Sequence, residues 1–190
     1  MSDVFLPKGG GYRKLKVYKY TEIIYDLTVV FADRFIERGS RTKDQMVQAA
    51  RSGKQNIAEG SKASSTSKET ELKLTNVAKA SLEELLLDYE DYLRQHRLNQ
   101  WKQGNDRFDR LRIYLRSEAF KAQPLALIEK MNVEEYCNVC ITLINMSTYM
   151  LRRLIERQHA DFVKDGGIKE RMYKARIDYR NNKVKDKKDK

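Results

Sequence analysis

Apolar residues fall along this chain at the spacing of helix faces. In residues 12–38, Val17, Thr21, Ile24, Thr28, Phe31 and Phe35 recur about every 3.6 positions. Ile23, Tyr25, Leu27 and Val30 widen that face, so this first helix is expected to be buried on more than one side. Residues 42–60 predict a second helix. Thr42 and Gln45 form a capping-box pair at its start, and Gly60 followed by Ser61 is the expected stop. A small, polar loop over 61–65 leads to Thr66 and Glu69, a second capping box. From there a third helix runs to about Leu98, with Leu72, Ala78, Leu82, Leu85, Leu86, Tyr89, Tyr92 and Leu93 on its apolar side. A fourth opens with Asn132 as cap and Glu135 three residues later. Its seam is Cys137, Ile141, Ile144, Thr148, Leu151 and Ile155, and it is expected to end near His159.

Between the third and fourth helices, residues 99–131 read as an insertion opened by Trp101. Phe108, Leu111 and Leu115 predict a helix over 106–122, which Pro124 breaks; 125–131 reads as a short turn. Beyond the fourth helix, Asp165-Gly166-Gly167 is the expected hinge and 168–180 a last helix. One face of it carries Ile168, Met172, Ala175 and Tyr179; another carries Lys169, Tyr173, Arg176 and Arg180. Residues 2–11 read as a flexible lead and 181–190 as a charged, disordered tail. Short links force antiparallel neighbours. The predicted fold is all-α, an up-down-up-down four-helix bundle over 12–161 with a helical insertion at 99–131. A suffix helix over 162–180 and the tail follow.

The second helix carries the most information. On a helical wheel, Met46, Ala49, Ala50, Gly53, Ile57 and Gly60 share one arc, and most of them are small. A glycine inside a helix costs about 1 kcal/mol against alanine. Gly53 therefore implies the close approach of another backbone. Lys43, Arg51, Lys54 and Lys62 form a second arc, diluted by Asp44.

Composition narrows the partner more than the chemistry. The 190 residues are 41% hydrophobic, with two prolines and nine glycines, which fits one domain of long helices with an appendage. A net charge of +11 and a pI near 9.6 point to an acidic partner, nucleic acid above all. Residues 1–11 show no signal pattern, and the uncharged run 136–151 contains too many polar residues for a membrane span. Two cysteines without further ligands fit a reducing cytoplasm.

Catalytic chemistry finds little support. Cys137 and Cys140 form a lone CxxC on an apolar seam, without the four ligands of structural zinc, and read as core. Asn56 and Glu59 read as structural groups that hydrogen-bond across helices or subunits and set register. Glu83, Glu84, Asp88 and Asp91 would need a second acidic motif on a facing helix to hold Mg²⁺; Glu134-Glu135 is the nearest match and is poorly spaced. No metal and no cofactor are expected. The basic arcs are the stronger constellation: Lys43, Arg51, Lys54 and Lys62, then Lys169, Tyr173, Arg176 and Arg180. Point charges contact phosphates and a tyrosine stacks on an unpaired base.

Residues 45–60, with Asn56-Ile57-Ala58-Glu59-Gly60, resemble the signature of the bacterial four-helix bundle protein family. That family includes proteins encoded in intervening sequences of 23S ribosomal RNA genes and accessory proteins of diversity-generating retroelements. Gly10-Gly11-Tyr12-Arg13-Lys14-Leu15, 67–92 and 162–180 resemble its four helix bundle suffix domain subgroup more closely. The resemblance covers most of 10–180. It implies a closed homopentamer of about 112 kDa, five copies of a 22.4 kDa chain, with Gly53, Asn56 and Glu59 in its structural contacts. It further implies RNA, and by analogy a reverse transcriptase, as partners. The insertion and the suffix depart from the family pattern and are expected to block or reshape its assembly surface. The expected function is a non-catalytic, RNA-binding oligomeric accessory protein. The alternatives are a protein–protein scaffold without a nucleic-acid role and a metal-dependent all-α nucleotide hydrolase.

Overall fold

The computed structural model describes residues 11–126 and 130–188, with Asp165 and residues 182–188 as backbone only. Every regular element among the described residues is helical. A 3-10 turn, Tyr12–Lys14, precedes α1 (Lys16–Phe35); α2 (Arg41–Ala63) and α3 (Lys68–Gln95) follow. Two short helices, α4 (Asp106–Tyr114) and α5 (Glu118–Ala122), fill the insertion, before α6 (Val133–Asp165) and α7 (Ile168–Lys188).

The core is built by four of these helices. α1 packs on α2 and α6, α2 packs on α3, and α3 packs on α6. The buried set follows the predicted faces. In α2 the buried residues are Met46, Ala49, Ala50, Gly53, Ile57 and Gly60, the whole predicted arc. Facing them are Ile24, Leu27 and Phe31 of α1, Leu82, Leu85 and Tyr89 of α3, and Leu143, Ile144 and Leu151 of α6. Burying each of the larger side chains is worth about 1.5–3 kcal/mol. Several hydroxyls inside the core are satisfied by neighbouring helices, although the buried Ser147 hydroxyl has no partner among the described residues. The Tyr89 hydroxyl donates to the Thr28 hydroxyl (3.1 Å), which donates to the Ile24 carbonyl (2.7 Å). The Tyr136 hydroxyl donates to the Leu27 carbonyl (2.8 Å).

The helix ends correct several expectations. The first predicted helix splits into the 3-10 turn and α1, with Leu15 extended between them. Ser40, not Thr42, is the N-cap of α2, and no side chain caps it, so the Thr42–Gln45 box does not form. Gly60 does not stop α2, which runs on to Ala63. A Cβ at Gly60 would lie 3.2 Å from the Glu71 carbonyl, so the residue serves helix contact and not termination. Ser67 replaces Thr66 as the cap of α3, accepting from the Thr70 amide (3.1 Å). That helix ends at Gln95. Asn132 and Glu135 do form a reciprocal capping box, but α6 continues past His159 to Asp165. The predicted insertion helix breaks where Ser117 caps α5. The expected turn at 125–131 lies partly, and the lead at 2–11 all but Gly11, outside the described residues.

The insertion is anchored at its entrance. Asn138 donates to the Asn99 carbonyl (2.9 Å) and accepts from the Trp101 amide (2.7 Å). Glu134 accepts from the Trp101 indole (3.1 Å) and the Asn99 amide (3.0 Å). These bonds hold the Glu134 carboxyl below its usual range. Farther along, the Tyr20 hydroxyl donates to the Leu115 carbonyl (3.2 Å), and Leu111, Leu115 and Phe120 join the core.

Candidate nucleic-acid interface

The basic arc of α2 spans about 28 Å from Lys43 to Lys62 at 1.5 Å per residue. Its cations are not equally available. Lys43 pairs with Asp33 of α1 (2.7 Å). The Lys54 ammonium sits 4.2 Å from the centre of the Tyr25 ring, within cation–π range. Lys62 lies 5.9 Å from the centre of Tyr12, which also takes Arg13 at 5.6 Å and stands edge-on to Tyr18. Arg51 is exposed, as is Asp44 beside the arc. Much of this arc therefore stitches α2 to α1 and to the 3-10 turn. Asp33, Tyr25 and Tyr12 escaped the sequence reading because a wheel of one helix carries no information about its neighbour.

The second arc lies on α7. Gly166 ends α6 with φ of 67°, a backbone shape glycine adopts without strain. The Gly167 amide donates to the Glu170 carboxylate, which closes the first turn of α7. Lys169, Tyr173, Arg176 and Arg180 are all exposed, Tyr173 at 70%. Among the described residues α7 makes no extended contact with another helix. It continues to Lys188, so most of the expected disordered tail is helical backbone. Over Ile168–Lys188 the sequence has nine Lys or Arg against three Asp or Glu, a net charge of +6. α2 packs on α1, α3 and the 3-10 turn, whereas the second arc lies on a helix without extended contacts among the described residues.

The hydrogen bonds of the Asn56 side chain stay within its own helix. The Asn56 amide donates to the Ser52 carbonyl (2.9 Å) and hydroxyl (3.0 Å), within α2. The cross-helix link is one step removed, from the Ser52 hydroxyl to that of Ser81 on α3 (2.9 Å). Glu59 is exposed.

The acidic belt of α3 is partly neutralised by neighbours: Glu83 pairs with Lys79 and Asp91 with Arg94, both at 2.8 Å. Burial, with the Glu84 and Asp91 carboxylates beside it, pushes Asp88 up to about 6. Between about pH 4 and 6 the unfolded chain ionises this group before the folded one does. Stability should therefore fall as pH rises through that window and stay lower above it. We expect Asp88→Asn to flatten that dependence and to gain about 1 kcal/mol at pH 7, a value discounted because the group is half exposed. Urea midpoints of both proteins at pH 4 and pH 7 check this; equal pH slopes would show that Asp88 is not strained.

Cys137 and Cys140 are fully buried on α6. Burial pushes the Cys140 thiol up to about 12 and raises Cys137 as well. The nucleophilic and metal-binding form is the thiolate, so both thiols are inert at neutral pH. Replacing both with alanine should keep the fold and cost about 1–2 kcal/mol through small cavities. Stoichiometric zinc in the parent, lost in the double variant, would contradict this. Glu134 and Glu135 are taken up by the insertion and the α6 cap. Among the described residues no three His, Cys, Asp or Glu side chains gather as a metal-holding group, and no helix is long and apolar enough to cross a membrane. Comparison with family models, with curated proteins and with solved structures finds no match to this chain.

Proposed function

We propose that this chain is a non-catalytic, RNA-binding accessory protein of the cytoplasm, an up-down-up-down four-helix bundle that assembles as a homopentamer. The observation that carries the reading is α7. It combines a net charge of +6 with an exposed tyrosine between exposed cations and stands clear of the core. Lysine and arginine at that density neutralise phosphates and release counterions. Tyr173 offers a stacking surface that accepts any base. On α2, Arg51 extends the contact, while Lys43 and Lys54 engage α1 and Lys62 lies by Tyr12 of the 3-10 turn. Fluorescence anisotropy with an unstructured RNA of mixed sequence, across a salt series, tests the reading. Log affinity should fall linearly with log salt, at a slope near −0.7 for each phosphate neutralised. No binding at low salt would sink it. Light scattering tests the assembly separately: a monomer at micromolar concentration removes the pentamer.

One observation favours a second reading, a protein scaffold. Met172 and Tyr179, 51% and 67% exposed, share an α7 face with Ile168 and Ala175. An apolar stripe of this kind suits a partner helix. RNA affinity insensitive to the α7 cations would put this reading first.

A further inference from the structure

Helix α3 turns an apolar strip set among carboxylates to solvent. Leu87 is 62% exposed. Glu83, Glu84, Glu90 and Asp91 stand three or four residues from it in sequence, so they ring it on one helix face. Ala80, seven residues before Leu87, continues the strip and is exposed. Over residues 83–91 the sequence has five Asp or Glu and no Lys or Arg, a net charge of −5 in a chain of +11. Lys79 and Arg94, just outside this segment, pair with Glu83 and Asp91. Asp88 is raised all the same, by burial first and then by Glu84 and Asp91.

Helix α7 carries the complementary face. Ile168, Met172, Ala175 and Tyr179 form an apolar stripe about 16 Å long at 1.5 Å per residue. Met172, Ala175, Arg176 and Tyr179 line a groove along it. At about 100° per residue, Arg176 flanks the stripe on one side and Arg171 on the other. Both arginines are exposed. Lys169, Tyr173 and Arg180 lie about a quarter turn or more from the stripe, which leaves them to RNA.

We infer that α7 of one copy docks on this face of α3 in a second copy, its stripe over Leu87 and Ala80, with Arg171 and Arg176 against the carboxylates. This inference rests on the reading of the chain as self-assembling and names the surfaces that join. Charge selects the occupant: two α7 helices would meet with like charge, whereas α7 and the α3 belt are opposite in sign. The contact joins unlike faces, so repeated from copy to copy it can close a ring.

Reach excludes docking within one chain. Gln158 of α6 and Glu71 of α3 line one cavity, so they stand at one level of the bundle. Beyond the other end of α3, Asn99 bonds Glu134 at the start of α6, so the two helices run antiparallel. α6 continues past Gln158 to Asp165, about 10 Å further. An α7 folded straight back from there would end its stripe about 6 Å beyond the level of Glu71. Leu87 lies about 24 Å beyond Glu71, so the stripe would fall about 18 Å short.

The test uses the full chain in light scattering, with far-UV circular dichroism to check folding. Arg171→Glu with Arg176→Glu should bring the parental mass down toward the 22.4 kDa of one chain. Glu83→Arg with Glu84→Arg should do the same from the other side. All four reversals together pair the charges in the opposite sense and should recover the parental mass. Leu87→Ser should weaken assembly by about tenfold at unchanged helix content, because this leucine is exposed in the single chain. Parental mass in both double reversals would overturn the inference and leave assembly through another surface. Loss of assembly in both, without recovery in the fourfold variant, would overturn the pairing of the two faces. A monomeric parent would overturn the inference together with the assembly reading.

Discussion

Gly53→Leu should lower the melting temperature by about 6–12 °C or prevent folding. A Cβ at this position would meet Leu82 Cδ2 at 2.7 Å and Cγ at 2.9 Å, with the Ala78 carbonyl at 3.6 Å. Leu82 is itself fully buried, so it cannot swing away into solvent. Overpacking a tight core costs about 1–3 kcal/mol, and leucine adds three carbons beyond the Cβ. Against a total stability of about 5–15 kcal/mol, the upper end of that range is a large loss. For a chain of this length each kcal/mol moves the midpoint by about 2–4 °C. Gly53→Ala is the graded control and should lose less. A leucine variant that melts like the parent would mean that α2 and α3 are not in contact at this point.

Replacing Lys169, Arg176 and Arg180 with Gln should weaken RNA binding alike for all sequences. If each side chain neutralises one phosphate, the salt slope flattens by about two units. That amounts to a loss of more than tenfold at moderate salt. The fold should survive, because these residues are exposed and α7 makes no extended contact with another helix. The equivalent change on α2, Arg51, Lys54 and Lys62 to Gln, should flatten the slope by about one unit, because Lys54 and Lys62 are engaged with Tyr25 and Tyr12. It should also lower stability slightly, by about 1 kcal/mol, through lost cation–π contacts. Equal effects of the two triple substitutions on the slope would show that the aromatic partners do not restrain the α2 lysines.

The pattern of apolar residues was enough to place the helices and their buried faces. The α2 arc illustrates why: burial at a fixed angular spacing is a one-helix property, written in the order of residues. Helix ends were less legible. Gly60 followed by Ser61 has the local signature of a stop, yet the helix continues, because contact with α3 outweighs a glycine's intrinsic cost in a helix. The same local rule worked at Asn132, where the cap is closed by bonds between Asn132 and Glu135 alone, groups three residues apart.

The candidate site divides along the same line. That Lys54 and Lys62 lie off the core arc follows from sequence; that they rest on tyrosines does not, since those rings belong to residues 29 and 50 positions away. By itself the sequence determined helical class, burial and net charge, which are sums over local spacing and composition. Only the tertiary structure decided which cations are engaged by neighbouring side chains and where helix contact overrides a local stop signal. Both depend on distances between residues far apart in the chain, and packing alone sets those distances.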